Sequence, residues 1–129
     1  MDDMIFLSKS KYCAYRQCPK LAWLKRYKPE AQVLNDDALS RLETGSQVGA
    51  LARGLFGPYT DVTVLQDGRL DLSDMIKNTK SEMEKQTPVI CEASFSCDGL
   101  YCAVDLLKHE GGGWAIYEVK SSTSVNRAI

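Results

Sequence analysis

VICEASFSCDGLYCAVDLLKHEGGGWAIYEVKSS, residues 89–122, decides the fold. It reads as three successive strands, VICEASFSC, LYCAVDLLKH and WAIYEVKSS, separated by an Asp98-Gly99 turn and a glycine-rich turn at 110–113. Connections this short imply an antiparallel meander. Three carboxylates punctuate it, Glu92, Asp105 and Glu118, and Lys120 follows the last of them. Pairing symmetrical about the glycines brings Asp105 opposite the 116–118 stretch. Strand alternation sets Glu118 and Lys120 on one face and Val119 in the opposite layer. Asp105 sits in the apolar run CAVDLL, where an unpaired carboxylate is costly or takes up a proton, so a partner is implied. Two partners satisfy it. Lys120 can balance the charge across strands, or a divalent cation can be shared with Glu118, and oxygen donors suit Mg²⁺ or Mn²⁺. In the second case Lys120 stands where it can stabilise charge building on a phosphate.

The chain before this meander has a helical texture. Ser8 caps a helix over 9–17, Pro19 opens another to about Tyr27, and 29–35 is a linker. Asp36 or Asp37 is expected to cap a longer helix that carries Gly45 and Gly49 and ends at Gly57-Pro58. YTDVTVLQD (59–67) alternates as one strand, Asp67-Gly68 turns the chain, and Ser73 is expected to cap a polar helix that stops before Pro88. Helices followed by a sheet define an α/β fold of α+β type, with N-terminal helices packed on a mixed, largely antiparallel sheet. The chain stops at NRAI soon after its last strand. An incomplete domain, or a tail docked across the sheet, would account for that.

The 129 residues make one domain, 44% apolar and 26% charged, with room for a real core. The net charge of −1 hides a segregation: residues 9–28 carry seven Lys or Arg and no acid. Such a face serves either solubility or polyanion binding. Tyr12, Tyr15, Trp23 and Tyr27 interleave with these cations, either to stack on unpaired bases or to fill the core, the latter being the expectation for Trp23. Five loosely spaced cysteines argue against a disulfide framework, and Cys91, Cys97 and Cys102 read as buried thiols. The start has no signal-peptide pattern and no run of apolar residues long enough to span a membrane, so a cytoplasmic protein without a membrane partner is expected. The helix glycines do not form a phosphate-binding loop.

Glu92-x-x-Phe95, Asp105 and Glu118-Val119-Lys120-Ser121-Ser122, taken in order, resemble the RecB-like branch of the PD-(D/E)XK nuclease superfamily. LSKSKYCAYRQCPKLAWL and ETGSQVGALARGLFG resemble that branch's opening segment and first core helix, so the likeness runs from about 7 to 122. It implies a restriction-endonuclease-like core over 36–129, a basic helical region over 1–35, and C-terminal core elements lying beyond this chain. It implies a metal-dependent deoxyribonuclease acting on DNA, single-stranded DNA included. Asp105, Glu118 and the Val119 carbonyl would hold Mg²⁺ or Mn²⁺, Lys120 would assist hydrolysis, and Glu92 would take the more variable acidic position. Many relatives carry a metal-binding histidine where Gly49 stands here, while the one histidine, His109, falls in the hairpin and is expected at the surface. Cys18 matches the N-terminal ligand of an iron-sulphur cluster whose other cysteines would need a longer chain. The departure at Gly49 supports the alternative, a catalytically degenerate fold serving as a nucleic-acid-binding or assembly module. An uncovered sheet edge would invite pairing of two copies.

Overall fold

A computed structural model describes residues 5–124. In chain order the elements are β1 (Leu7–Ser8), α1 (Lys9–Gln17), α2 (Pro19–Tyr27), a 3-10 turn (Pro29–Ala31), α3 (Asp36–Arg53) and β2 (Thr60–Asp61). They continue with β3 (Leu65–Gln66), β4 (Arg69–Leu70), α4 (Leu72–Glu84), β5 (Val89–Cys97), β6 (Leu100–Glu110) and β7 (Gly113–Tyr117). Helices and a mixed sheet make this an α+β fold. The tail from 125 onward lies outside the described residues.

The two hairpins follow their turn chemistry. Asp98 and Gly99 both take positive φ (50° and 81°), and so do Gly111 and Gly112 (61° and 77°). That is the left-handed pair a tight two-residue hairpin requires. β5 and β6 therefore pair antiparallel through Cys97↔Leu100, and β6 and β7 through Glu110↔Gly113. The symmetry expected about the glycines holds, but the third strand is shorter than the sequence suggests. β7 ends at Tyr117, not Ser122. Beyond it the Asp105 carboxylate accepts the Val119 N–H at 2.7 Å, so a side chain replaces the next rung of the ladder.

Two parallel contacts complete the sheet. β1 lies against Leu100 and Tyr101 of β6, and β2 against Ile90 and Cys91 of β5, giving the order β1-β6-β5-β2 with β7 also on β6. The single strand expected over 59–67 is divided. Asp61 Oδ1 accepts the Thr63 N–H at 2.9 Å, a local turn that takes the chain off the sheet after two residues. Leu65–Gln66 then pairs with Arg69–Leu70 about Asp67-Gly68 as a separate hairpin.

Ser8 caps α1 as expected, but Asn35 caps α3 and Asp71 caps α4, each accepting a backbone N–H three residues on. Asp36 and Asp37 instead occupy the first turn of α3, where the helix dipole favours them.

The sheet is covered on both faces. On one, Val62, Ile90, Ala93, Val104 and Leu107 pack with Met83, Phe95 and Trp114. On the other, Val89, Cys91 and Leu106 pack with Ala52, Phe56, Tyr117 and Val119. Cys91 is buried as expected, whereas Cys97 is exposed and Cys102 half-buried, because β5 and β6 run out into solvent at their Asp98-Gly99 end. Trp23 is 52% exposed, contrary to its expected place in the core, since α2 buries none of its residues. His109 lies in β6, edge-on to Trp114, with ring centroids 4.8 Å apart.

Candidate metal-binding acidic site

The β5–β6 ladder pairs Cys91 with Leu106 and then Ala93 with Val104, and Glu92 and Asp105 stand opposite each other between them. Regular alternation would aim both carboxylates into the layer of Ile90 and Leu107. The backbone prevents this. Glu92 has φ +58°, and among the described non-glycine residues with positive φ (Asp67, Gln86, Glu92 and Asp98) it alone lies inside a strand. A left-handed L-residue costs on the order of 1 to 2 kcal/mol. Its effect is to reverse the faces: Cys91 and Leu106 stay on the α3 side, while Ala93 and Val104 move to the α4 side. Glu92 and Asp105 thereby open into one pocket of about 390 Å³, beneath α3.

Ser46, Gly49 and Arg53 of α3 line it as well, together with Val119, Lys120 and Ser121. Gly45, Gly49 and Arg53 recur at four-residue spacing and form one stripe along the helix. A Cβ at Gly49 would meet nothing within 4 Å, so the pocket is open space on that side. Arg53 forms an ion pair with Asp61 at 3.3 Å. Burial, and then the charge of Asp105, push the Glu92 carboxyl above its usual range, with Arg53 opposing the rise.

Glu118 is outside this lining, although its charge also raises Glu92. Its Oε1 accepts from Lys9 Nζ at 2.9 Å, and Lys120 Nζ stands 3.6 Å from the same atom. The Lys9 hydrogen bond, more than any other influence, holds the Glu118 carboxyl low and raises the Lys9 ammonium. The topology explains the meeting. β1 runs parallel to β6 and ends at Tyr101, and β7 runs antiparallel and ends at Leu106. The residues that follow them, Lys9 and Glu118, approach from opposite ends across the intervening edge of β6.

The structure therefore brings Glu92, Asp105 and Lys120 to one pocket, with the Val119 backbone on Asp105, and sets Glu118 beside it on Lys9. Among the described residues, no three His, Cys, Asp or Glu side chains form a group placed to hold a metal. Cys18 is exposed, and its N–H closes α1 on the Ala14 carbonyl at 2.9 Å. Sequence reasoning missed Arg53 and Lys9. The four-residue stripe could have revealed Arg53, whereas nothing local marks Lys9.

No family model, no curated protein and no solved structure matches this chain. Among the described residues, no helix is long and apolar enough to cross a membrane.

Raised by its surroundings, Glu92 binds its proton more readily folded than unfolded. Its stabilising contribution is complete below about pH 4 and disappears as pH rises through the folded value. Glu92→Gln should therefore raise the melting temperature at pH 7 in the presence of a chelator, with the gain fading on acidification toward pH 4. A gain equal at both pH values would show that relief of charge is not its cause.

Proposed function

We propose that the pocket beneath α3 hydrolyses DNA phosphodiester bonds with a bound Mg²⁺ or Mn²⁺. The observation that supports this most strongly is the reversal at Glu92, which keeps two opposed carboxylates out of the core at the cost of a left-handed backbone. Strain retained beside an acidic pair favours function over packing. Two carboxylates suit Mg²⁺, which keeps several positions for water and phosphate oxygens. Glu92 and Asp105 would hold the ion, the Val119 carbonyl would be a further donor, and Glu118 would join once released by Lys9. The ion supplies a water acidic enough to act as nucleophile near neutral pH. Lys120 stabilises the charge gathering on the phosphate, and Arg53 offers a second cation from the helix side. Val119 N–H holds the Asp105 carboxylate in orientation throughout.

A second reading, a module that binds nucleic acid without cutting it, is favoured by the empty space at Gly49 and by the engagement of Glu118 with Lys9. The two separate on Mn²⁺ titration of the chain, followed by melting temperature and by cleavage of single- and double-stranded DNA. The hydrolytic reading expects stabilisation of about 2.7 kcal/mol at a hundredfold excess over Kd, together with cleavage that a chelator stops. Neither stabilisation nor cleavage at millimolar Mn²⁺ would leave only the module.

Lys9 competes with the cation for Glu118 in this scheme. Their pair is 48% and 37% exposed, so solvent limits it to about 1 kcal/mol at most. Lys9→Met should tighten Mn²⁺ binding by up to about fivefold, measured by calorimetry. Weaker binding would mean that Lys9 organises Glu118 instead of blocking it.

A further inference from the structure

We infer that β1, α1 and α2 form a docking groove for single-stranded nucleic acid, separate from the acidic pocket and independent of metal. The groove has a volume of about 520 Å³, with Phe6 and Tyr15 among its walls and Ser10, Lys11, Lys25 and Arg26 supplying polar and cationic groups. Its two aromatic rings are 71% and 58% exposed, although aromatic side chains gain most from burial. Arg26 also stands 5.6 Å from the Tyr27 ring centroid, and Tyr27 pairs with Trp23 at 5.4 Å. An aromatic and cationic track thus continues out of the groove along α2.

Charge identifies the occupant. The chain has 16 Lys and Arg against 17 Asp and Glu, and residues 9–28 take seven of the cations and none of the acids. The other 109 residues are therefore strongly acidic while α1 and α2 are purely basic. Among the described residues, Lys11, Lys25 and Arg26 form no ion pair, although the chain has acids enough to pair with them. Unpaired cations track a phosphate backbone, and exposed rings take unpaired bases, each stacked base contributing a contact that a duplex cannot offer. A strand lying here would run close to the acidic pocket. Lys9, which reaches Glu118, directly precedes Ser10 and Lys11 in the groove wall.

The test is fluorescence anisotropy of a labelled oligothymidylate of about 15 nucleotides, with the full chain in a chelator so that hydrolysis plays no part. The wild-type chain should bind the single strand more tightly than a duplex of equal length. Tyr15→Ala should weaken single-strand binding by about tenfold and leave heparin binding unchanged. The double variant Lys25→Gln/Arg26→Gln should flatten the salt dependence by about 1.4 in log–log slope, two phosphate contacts at roughly 0.7 each. These positions are exposed, and circular dichroism checks that each variant keeps the wild-type fold. Absence of single-strand binding would overturn the inference. So would equal affinity for duplex, heparin or anionic phosphatidylserine vesicles combined with no effect of Tyr15→Ala, since the surface would then be a polycation without base recognition. Failure here leaves the metal-dependent reading untouched, because neither the pocket nor its ion enters the measurement.

Discussion

Asp105→Ala should abolish the Mn²⁺-dependent rise in melting temperature and lower DNA cleavage by about two orders of magnitude or more, the size of losing one preorganised charge contact. The same change also removes the acceptor of the Val119 N–H, a 2.7 Å bond that fixes the chain beyond β7. It should therefore destabilise the metal-free protein by roughly 1 to 3 kcal/mol, as loss of a hydrogen bond to a charged group does. Asp105→Asn separates the two roles. Its carboxamide oxygen still accepts from Val119 while the charge that raises Glu92 is gone, so its metal-free melting temperature should not fall below that of the wild type. Its Mn²⁺ response and cleavage should fall as far as those of the alanine variant. Cleavage by the asparagine variant at the wild-type rate would remove Asp105 from the chemistry and reduce it to an anchor for residues 118–121.

The second large effect concerns the support behind Glu92. Thr79, 1% exposed, donates its hydroxyl to the Met75 carbonyl and accepts the Ser94 N–H, both at 2.8 Å. Ser94 in turn donates from Oγ to the Glu92 carbonyl at 3.0 Å. With its one proton so used, Oγ receives the Tyr101 hydroxyl at 2.9 Å. α4 thus holds the strand immediately after the reversal. Thr79→Val preserves shape but leaves the buried Ser94 N–H without its acceptor, at a cost of about 1 to 3 kcal/mol. The melting temperature should drop by several degrees, and Mn²⁺ affinity should weaken as the reversal loosens. Thr79→Ser, which keeps the hydroxyl, should recover most of both. If valine and serine behaved alike, the hydroxyl would not be the deciding group and the proposed support would fail.

The acidic residues at 92, 105 and 118 and the lysine at 120 are legible in the sequence alone, because charged groups interrupt otherwise apolar strands. Their grouping was only partly legible. The glycine turn correctly placed Glu118 across from Asp105, yet Glu118 turned to Lys9 and Glu92 became the partner of Asp105 in the pocket. Periodicity assumes unbroken alternation, and no residue type at 92 announces a positive φ there, as a glycine or asparagine would have done.

By itself the amino-acid sequence determined the helices, the two hairpins and the register between β6 and β7. Caps, turns and alternation are properties of a few neighbouring residues, and each depends on local φ/ψ preferences and nearby hydrogen bonds. Only the tertiary structure decided the parallel contacts of β1 and β2, the reversal at Glu92 and the meeting of Lys9 with Glu118. Lys9 and Glu118 are 109 residues apart along the chain. Contacts of that kind depend on how completed elements pack, and no local pattern encodes them.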